Sequence, residues 1–143
     1  AERRRLYQNG RLGMIVDGTG DDFKKISGEK AELEAIGYQT YMIFVNTTLE
    51  VALERNEKRD RVLPQKIVSD SHKSVNRNIG AFQGLFGSSN FMVVDNNDTI
   101  DEEKAKKRFK MLVKQGLSKF VKAPITSKKA QSWIRKQKIL RGK

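Results

Sequence analysis

The 143-residue sequence contains no cysteine, a single histidine (His72), a single tryptophan (Trp133) and only two prolines. Without cysteine there can be no disulfides, thiolate metal sites or thiol nucleophiles. One histidine excludes histidine-rich metal centres and serine–histidine pairs built around a second histidine. No apolar run approaches the ~20 residues needed to cross a bilayer, and the first residues lack the charged, apolar and small-residue series of a secretory leader, so a cytoplasmic chain is expected. What is present, 37% hydrophobic and 32% charged residues, is the balance of a globular domain with one core. The chemistry left to it is that of carboxylates, hydroxyls, lysines and arginines.

Positive charge is plentiful but uneven. The formal net charge is +12, and residues 101–143 hold 15 Lys+Arg against Asp101, Glu102 and Glu103. Residues 1–100 are therefore neutral, and the whole excess belongs to the C-terminal part. A basic extension of this kind suits phosphate-rich partners such as nucleic acid, and it equally suits a lysine-rich solvated helix. The only domain boundary this pattern suggests lies near residue 100, between a 1–100 core and a 101–143 basic helical extension.

Three short apolar runs predict buried strands: Leu12–Val16, Tyr38–Val45 and Phe91–Val94, each followed by a polar loop bearing Asp or Asn. Helical periodicity fills the intervals. Asp21 or Asp22 caps a helix carrying Phe23, Ile26, Leu33 and Ile36 that Gly37 stops, with Ser27-Gly28 as its weak point. Thr47 and Glu50 have capping-box spacing before a helix with Leu49, Ala52 and Leu53 on one face. Pro64 disfavours helix at Leu63. Residues 65–86 read as one helix through Ile67, Val68, Val75, Ile79, Phe82 and Phe86, and two basic helices follow at about 101–115 and 127–139. Strands alternating with helices predict an α/β fold with a mainly parallel sheet, and ligands bind at the carboxyl ends of such strands.

Two groups of residues there could carry chemistry. Asp17, in Asp17-Gly18-Thr19-Gly20, would stand on the lip of the first strand, where a carboxylate can hold hydrated magnesium or accept a proton; it could equally cap the next turn. Arg55, Arg59 and Arg61 fall within seven residues, Arg55 and Arg59 at i, i+4, and a guanidinium fork suits phosphate oxygens. The interleaved Glu57 and Asp60 also fit a solvated helix laced with ion pairs. His72, without an identifiable partner, reads as a surface residue. Trp133, with Ala130, Ile134 and Gln137, reads as the stripe by which the last helix docks, a better fit than nucleic-acid stacking.

The segments LGMIVDGTGDD, LEAIGYQTYMIFVNTTLEVALERNEKRDRVLP and KSVNRNIGAFQGLFGSSNFMVVDN together resemble the later two thirds of P-loop kinases of the zeta-toxin and polynucleotide-kinase-like group, especially tailed-phage versions. The resemblance covers roughly residues 3–97 and is most specific from Gly37 to Pro64. It implies a partial three-layer P-loop kinase-like fold, ATP and Mg2+ as cofactors, and a lid around 55–64. By the same resemblance Arg55 would lie near the nucleotide base or the start of the lid, Arg59 and Arg61 at the phosphates, Asp17 at the metal or acceptor, Asp95 and Asn96 near the adenine, and the 65–86 helix over the acceptor. Residues 1–11 resemble the end of a helix leading into the family's third strand.

The family's phosphate-binding loop is the departure: no G-x-x-x-x-G-K-[ST] occurs in the sequence. In the family its strand lies between those corresponding to 12–17 and 39–45. Either the chain is the C-terminal part of a longer or split kinase, inactive without a P-loop segment, or its strands pair around the gap, with Leu12–Val16 bonded directly to Tyr41–Val45. The alternative function is a non-catalytic, basic nucleic-acid-binding or virion-associated protein with a degenerate kinase core. The expected location is cytoplasmic, in a host cell if phage-encoded, or in the virion, with no membrane partner.

Overall fold

A computed structural model describes residues 2–97 and 102–142, so the boundary expected near residue 100, with Asp98 and Asp101, lies outside the described residues. The elements are α1 (Glu2–Gly10), α2 (Phe23–Ala35), β1 (Met42–Asn46), α3 (Leu49–Glu57), α4 (Gln65–Phe86), β2 (Phe91–Asp95), α5 (Glu102–Leu112), a π-helical turn (Val113–Leu117), α6 (Ser118–Val121) and α7 (Lys128–Leu140). The chain is a mixed α/β protein in which β1 and β2 pair in parallel, Met42 opposite Phe91 through Asn46 opposite Asp95.

Three helices, α2, α3 and α7, begin where a side chain caps them. Asp22 accepts from the Lys25 N–H at 2.9 Å and Ser127 from the Ala130 N–H at 3.3 Å, which satisfies donors that α2 and α7 cannot satisfy themselves. Gly37 ends the α2 region at φ +104°, a conformation that costs other residues dear. Ser27-Gly28 does not interrupt α2. At α3 the capping hydroxyl is Thr48, which accepts from Val51, in place of the expected Thr47, and α3 ends at Glu57. Arg59 therefore does not share a helical face with Arg55.

The core gathers where α2 and α4 meet one face of the sheet. Phe82 is fully buried and Phe44 nearly so; Phe23 meets Phe82 at 5.4 Å between ring centroids, and Phe91 approaches Phe44 at 6.3 Å. Gly20 is buried against Phe44, Val75 and Phe82, and Asn78 of α4 donates to the Gly20 and Asp21 carbonyls. The basic C-terminal part packs on this core. A Cβ at Gly116 would overlap the Met92 sulfur, Phe120 stacks on Tyr41 at 4.6 Å, and the Lys129 ammonium donates to the Ala35 carbonyl. In α7 the stripe Ala130, Trp133, Ile134 and Gln137 is half-buried while the rest of the helix is exposed, as its periodicity predicted. The Arg11 guanidinium lies 5.9 Å from the Trp133 ring centre.

The third expected strand does not form. Residues 12–19 have no regular structure, and Ile15 is 96% exposed. Leu12–Val16 is not paired with Tyr41–Val45, so the strands have not closed up around the gap. An apolar run becomes a strand only where a neighbouring edge accepts its backbone hydrogen bonds. The second strand is also shorter than its apolar run. Residues 38–41 stay outside it, with the Tyr38 hydroxyl donating to the Leu12 and Tyr7 carbonyls and Gln39 bonding Pro124 and Thr126.

Candidate functional site

The carboxyl ends of β1 and β2 carry a cluster of polar groups. The Asn97 side chain accepts from the Thr48 N–H at 2.6 Å, which joins the loop after β2 to the start of α3. The Asp95 carboxylate takes two bonds from Asn97, one from its backbone N–H and one from its amide. The Arg55 guanidinium donates to the Asn96 carbonyl at 2.7 Å, and Arg108 of α5 donates to the Asp95 carbonyl at 3.1 Å. Arg55, Asp95 and Asn96, expected together from the sequence, are brought together, and α3 is tied to the loop after β2 through Thr48 and Arg55.

Arg59 and Arg61 are on the loop from α3 to α4. That loop is anchored by Asn56, a polar side chain only 3% exposed: its amide donates to the Leu63 carbonyl at 2.8 Å and accepts from the Leu63 N–H at 3.0 Å. Among the described residues, the Arg59 and Arg61 guanidiniums make no hydrogen bond or ion pair, and Glu57 and Asp60 do not neutralise them. The ion-pair lacing that the interleaved acids suggested is thus absent around these two arginines among the described residues; the nearby pair joins Glu54 of α3 to Lys58, just past its end.

Asp17 is exposed on the irregular 12–19 segment and is not held on the lip of a strand. The carboxylate bonded in that loop is Asp21, whose acidity is raised by the Thr19 hydroxyl, which donates to it at 2.5 Å. No group of three His, Asp or Glu side chains able to hold a metal occurs among the described residues. His72 is not a surface residue without a partner. It is half-buried, its Nε2 lies 2.8 Å from the Thr47 carbonyl, and Asn76 sits beside its ring. Sequence reading missed His72 and Asn56 because their partners are backbone groups 25 and 7 residues away, which leave no mark in composition.

A shallow groove of about 440 Å3 opens at the amino ends of the strands, lined among others by Thr40, Tyr41, Asn90, Lys119, Phe120 and Pro124. None of the sequence-predicted site residues lines it. On its wall Glu34 accepts from Lys30 and from the Thr40 hydroxyl; burial pushes its pKa up, but these two donors together hold it below the ordinary value.

The architecture defines a mixed α/β protein with a small parallel sheet, polar and arginine-rich at its carboxyl end. Comparison of the chain with protein families, curated proteins and solved structures returns no match. No helix among the described residues is long and apolar enough to cross a membrane.

Proposed function

We propose that the chain is the lid and acceptor-side part of an ATP-dependent phosphotransferase with a P-loop kinase-like, three-layer fold, inactive until a P-loop segment completes it. The observation that carries this reading is the pair of guanidiniums, Arg59 and Arg61, without a partner among the described residues, on a loop that Asn56 anchors just after α3, the helix whose Arg55 bonds to Asn96 at the carboxyl end of β2. Two unpaired arginines on an anchored loop suit the oxygens of a polyphosphate and the charge that develops as a phosphoryl group passes in line to a hydroxyl or phosphate acceptor. Arg55, Asp95 and Asn96 form the neighbouring polar wall on which the base of the nucleotide would rest.

One carboxylate, Asp17, is a sufficient protein ligand only for a cation that brings its own waters and phosphate oxygens, which describes Mg2+ and excludes an all-protein metal cage. Bound there with ATP, Mg2+ would supply neutralising charge to the phosphates.

Equilibrium binding of a fluorescent ATP analogue tests the reading. The double variant Arg59→Ala/Arg61→Ala should bind at least tenfold more weakly, and Arg77→Ala, exposed on α4, should bind as the parent does. Equal binding by all three, or robust ATP turnover by the isolated chain, would overturn it.

A second reading, binding of nucleic acid by a non-catalytic or virion-associated protein, is favoured by α7. With its half-buried stripe turned to the core, Lys128, Arg135, Lys136 and Lys138 are exposed. Affinity for single- or double-stranded DNA that falls steeply with salt, and falls further in Arg135→Gln/Lys136→Gln/Lys138→Gln, would support it. Substitution is the cleaner experiment than deletion, because α5 to α7 pack on the core.

A further inference from the structure

We infer that the groove at the amino ends of the strands is a separate binding site for a small organic acid, a flat apolar ring carrying one carboxylate. It opens at the seam between the neutral core and the basic C-terminal part, with Thr40, Tyr41 and Asn90 from the first and Lys119, Phe120 and Pro124 from the second. Small-molecule sites favour such seams, and about 440 Å3 is within their usual size. The Arg55–Asn96 contact is at the opposite, carboxyl end of the sheet, about 13 Å away along strands of five residues.

Side-chain hydrogen bonds hold the two sides of the groove together. The Gln39 amide donates to the Tyr41 hydroxyl and to the Pro124 carbonyl, both at 3.2 Å, and its oxygen accepts from the Thr126 N–H at 2.8 Å. This fixes the 124–126 segment against the residues that lead into β1. Tyr41 and Phe120, one from each side, stack at 4.6 Å with their planes 22° apart. A preformed aromatic surface of this kind favours a flat apolar body over a flexible or strongly hydrated one.

The polar groups left over decide the charge of the ligand. Lys119 is exposed, and among the described residues its ammonium has no hydrogen bond or ion pair. The Asn90 amide and the Ser89 hydroxyl are likewise without partners there. The carboxylate on the lining, Glu34, is already matched: Lys30 donates to both its oxygens at 2.7 Å and the Thr40 hydroxyl to one of them at 2.6 Å. The groove therefore offers one unneutralised positive charge among neutral hydrogen-bonding groups, which a single carboxylate matches. A phosphate fits less well, because it carries more than one charge, finds no arginine fork on this lining and would face Glu34.

The test is NMR titration of the isotopically labelled full chain with benzoate, and with benzamide as its uncharged counterpart. Benzoate should give saturable shifts at Tyr41, Asn90, Lys119 and Thr126, and should bind roughly fivefold more tightly than benzamide. Lys119→Gln, at an exposed side chain with no hydrogen bond to lose, should weaken benzoate by that factor and leave benzamide unchanged. The inference is overturned by the lack of any saturable shift at millimolar benzoate, by equal binding of the two probes, by benzoate binding that ignores Lys119→Gln, or by shifts centred on Arg55, Arg59 and Arg61. Tighter binding of phenyl phosphate than of benzoate would overturn it as well. Neither the probes nor the variant alter Arg59 or Arg61, so this site can fail while the phosphotransferase reading stands, and the reverse.

Discussion

At the scale of single residues, one amide does more to shape the candidate site than any charged group. Asn56 is buried, and its side chain mimics a backbone pairing with Leu63, closing the loop that presents Arg59 and Arg61. Asn56→Ala leaves the half-buried Leu63 N–H and carbonyl without this partner, and we expect a loss of about 1–3 kcal/mol, read from the urea midpoint, together with faster amide exchange at Leu63. An unchanged midpoint would mean that the loop holds itself. Glu34 behaves differently. Its pKa is held below the ordinary value, so the stability it contributes is present above the usual carboxylate range and is lost as pH falls through its depressed folded value. Because this side chain is partly exposed, the contribution is below about 1 kcal/mol, and Glu34→Gln should flatten the acid limb of a stability–pH curve by no more than that.

At the scale of elements, α7 shows how a basic helix becomes part of a core. Its capped first turn sits over Gly37, where an added Cβ would come within 3.0 Å of the Ala130 nitrogen, and the positive φ of Gly37 already disfavours any side chain. Gly37→Ala should therefore destabilise the chain by about 1–3 kcal/mol and loosen α7. Trp133, the single tryptophan, is the reporter: its emission should shift to longer wavelength and its quenching by iodide should increase. If stability and emission are both unchanged, the contact is not made in solution. The π-helical turn Val113–Leu117 has a comparable role, since Gly116 within it is where Met92 fits against the backbone.

At the scale of the whole molecule, surface is the telling quantity. Phe44, Phe82 and Leu33 are the buried apolar side chains among the described residues, and the accessible area exceeds that of a compact monomer by roughly 3,500 Å2. Scattering should give a radius of gyration clearly above the ~14.5 Å of a compact 143-residue domain. A value at or below that figure would mean that the open β1 edge and the 12–19 segment close up in solution.

The sequence by itself determined much of the helical layout and its punctuation: Asp21 or Asp22 as a cap, Gly37 as a stop, 65–86 as one helix, and Ala130, Trp133, Ile134 and Gln137 as a docking stripe. It also determined the division of charge. Tertiary structure alone decided that Leu12–Val16 is not a strand, that Arg59 leaves the helix of Arg55, and that His72 and Asn56 have backbone partners. The reason lies in where the hydrogen bonds go. A helix bonds within itself, so periodicity and a capping residue suffice to specify it. A strand must find its partner on another segment, and among the described residues the apolar run at 12–16, with a strand's composition, pairs with none.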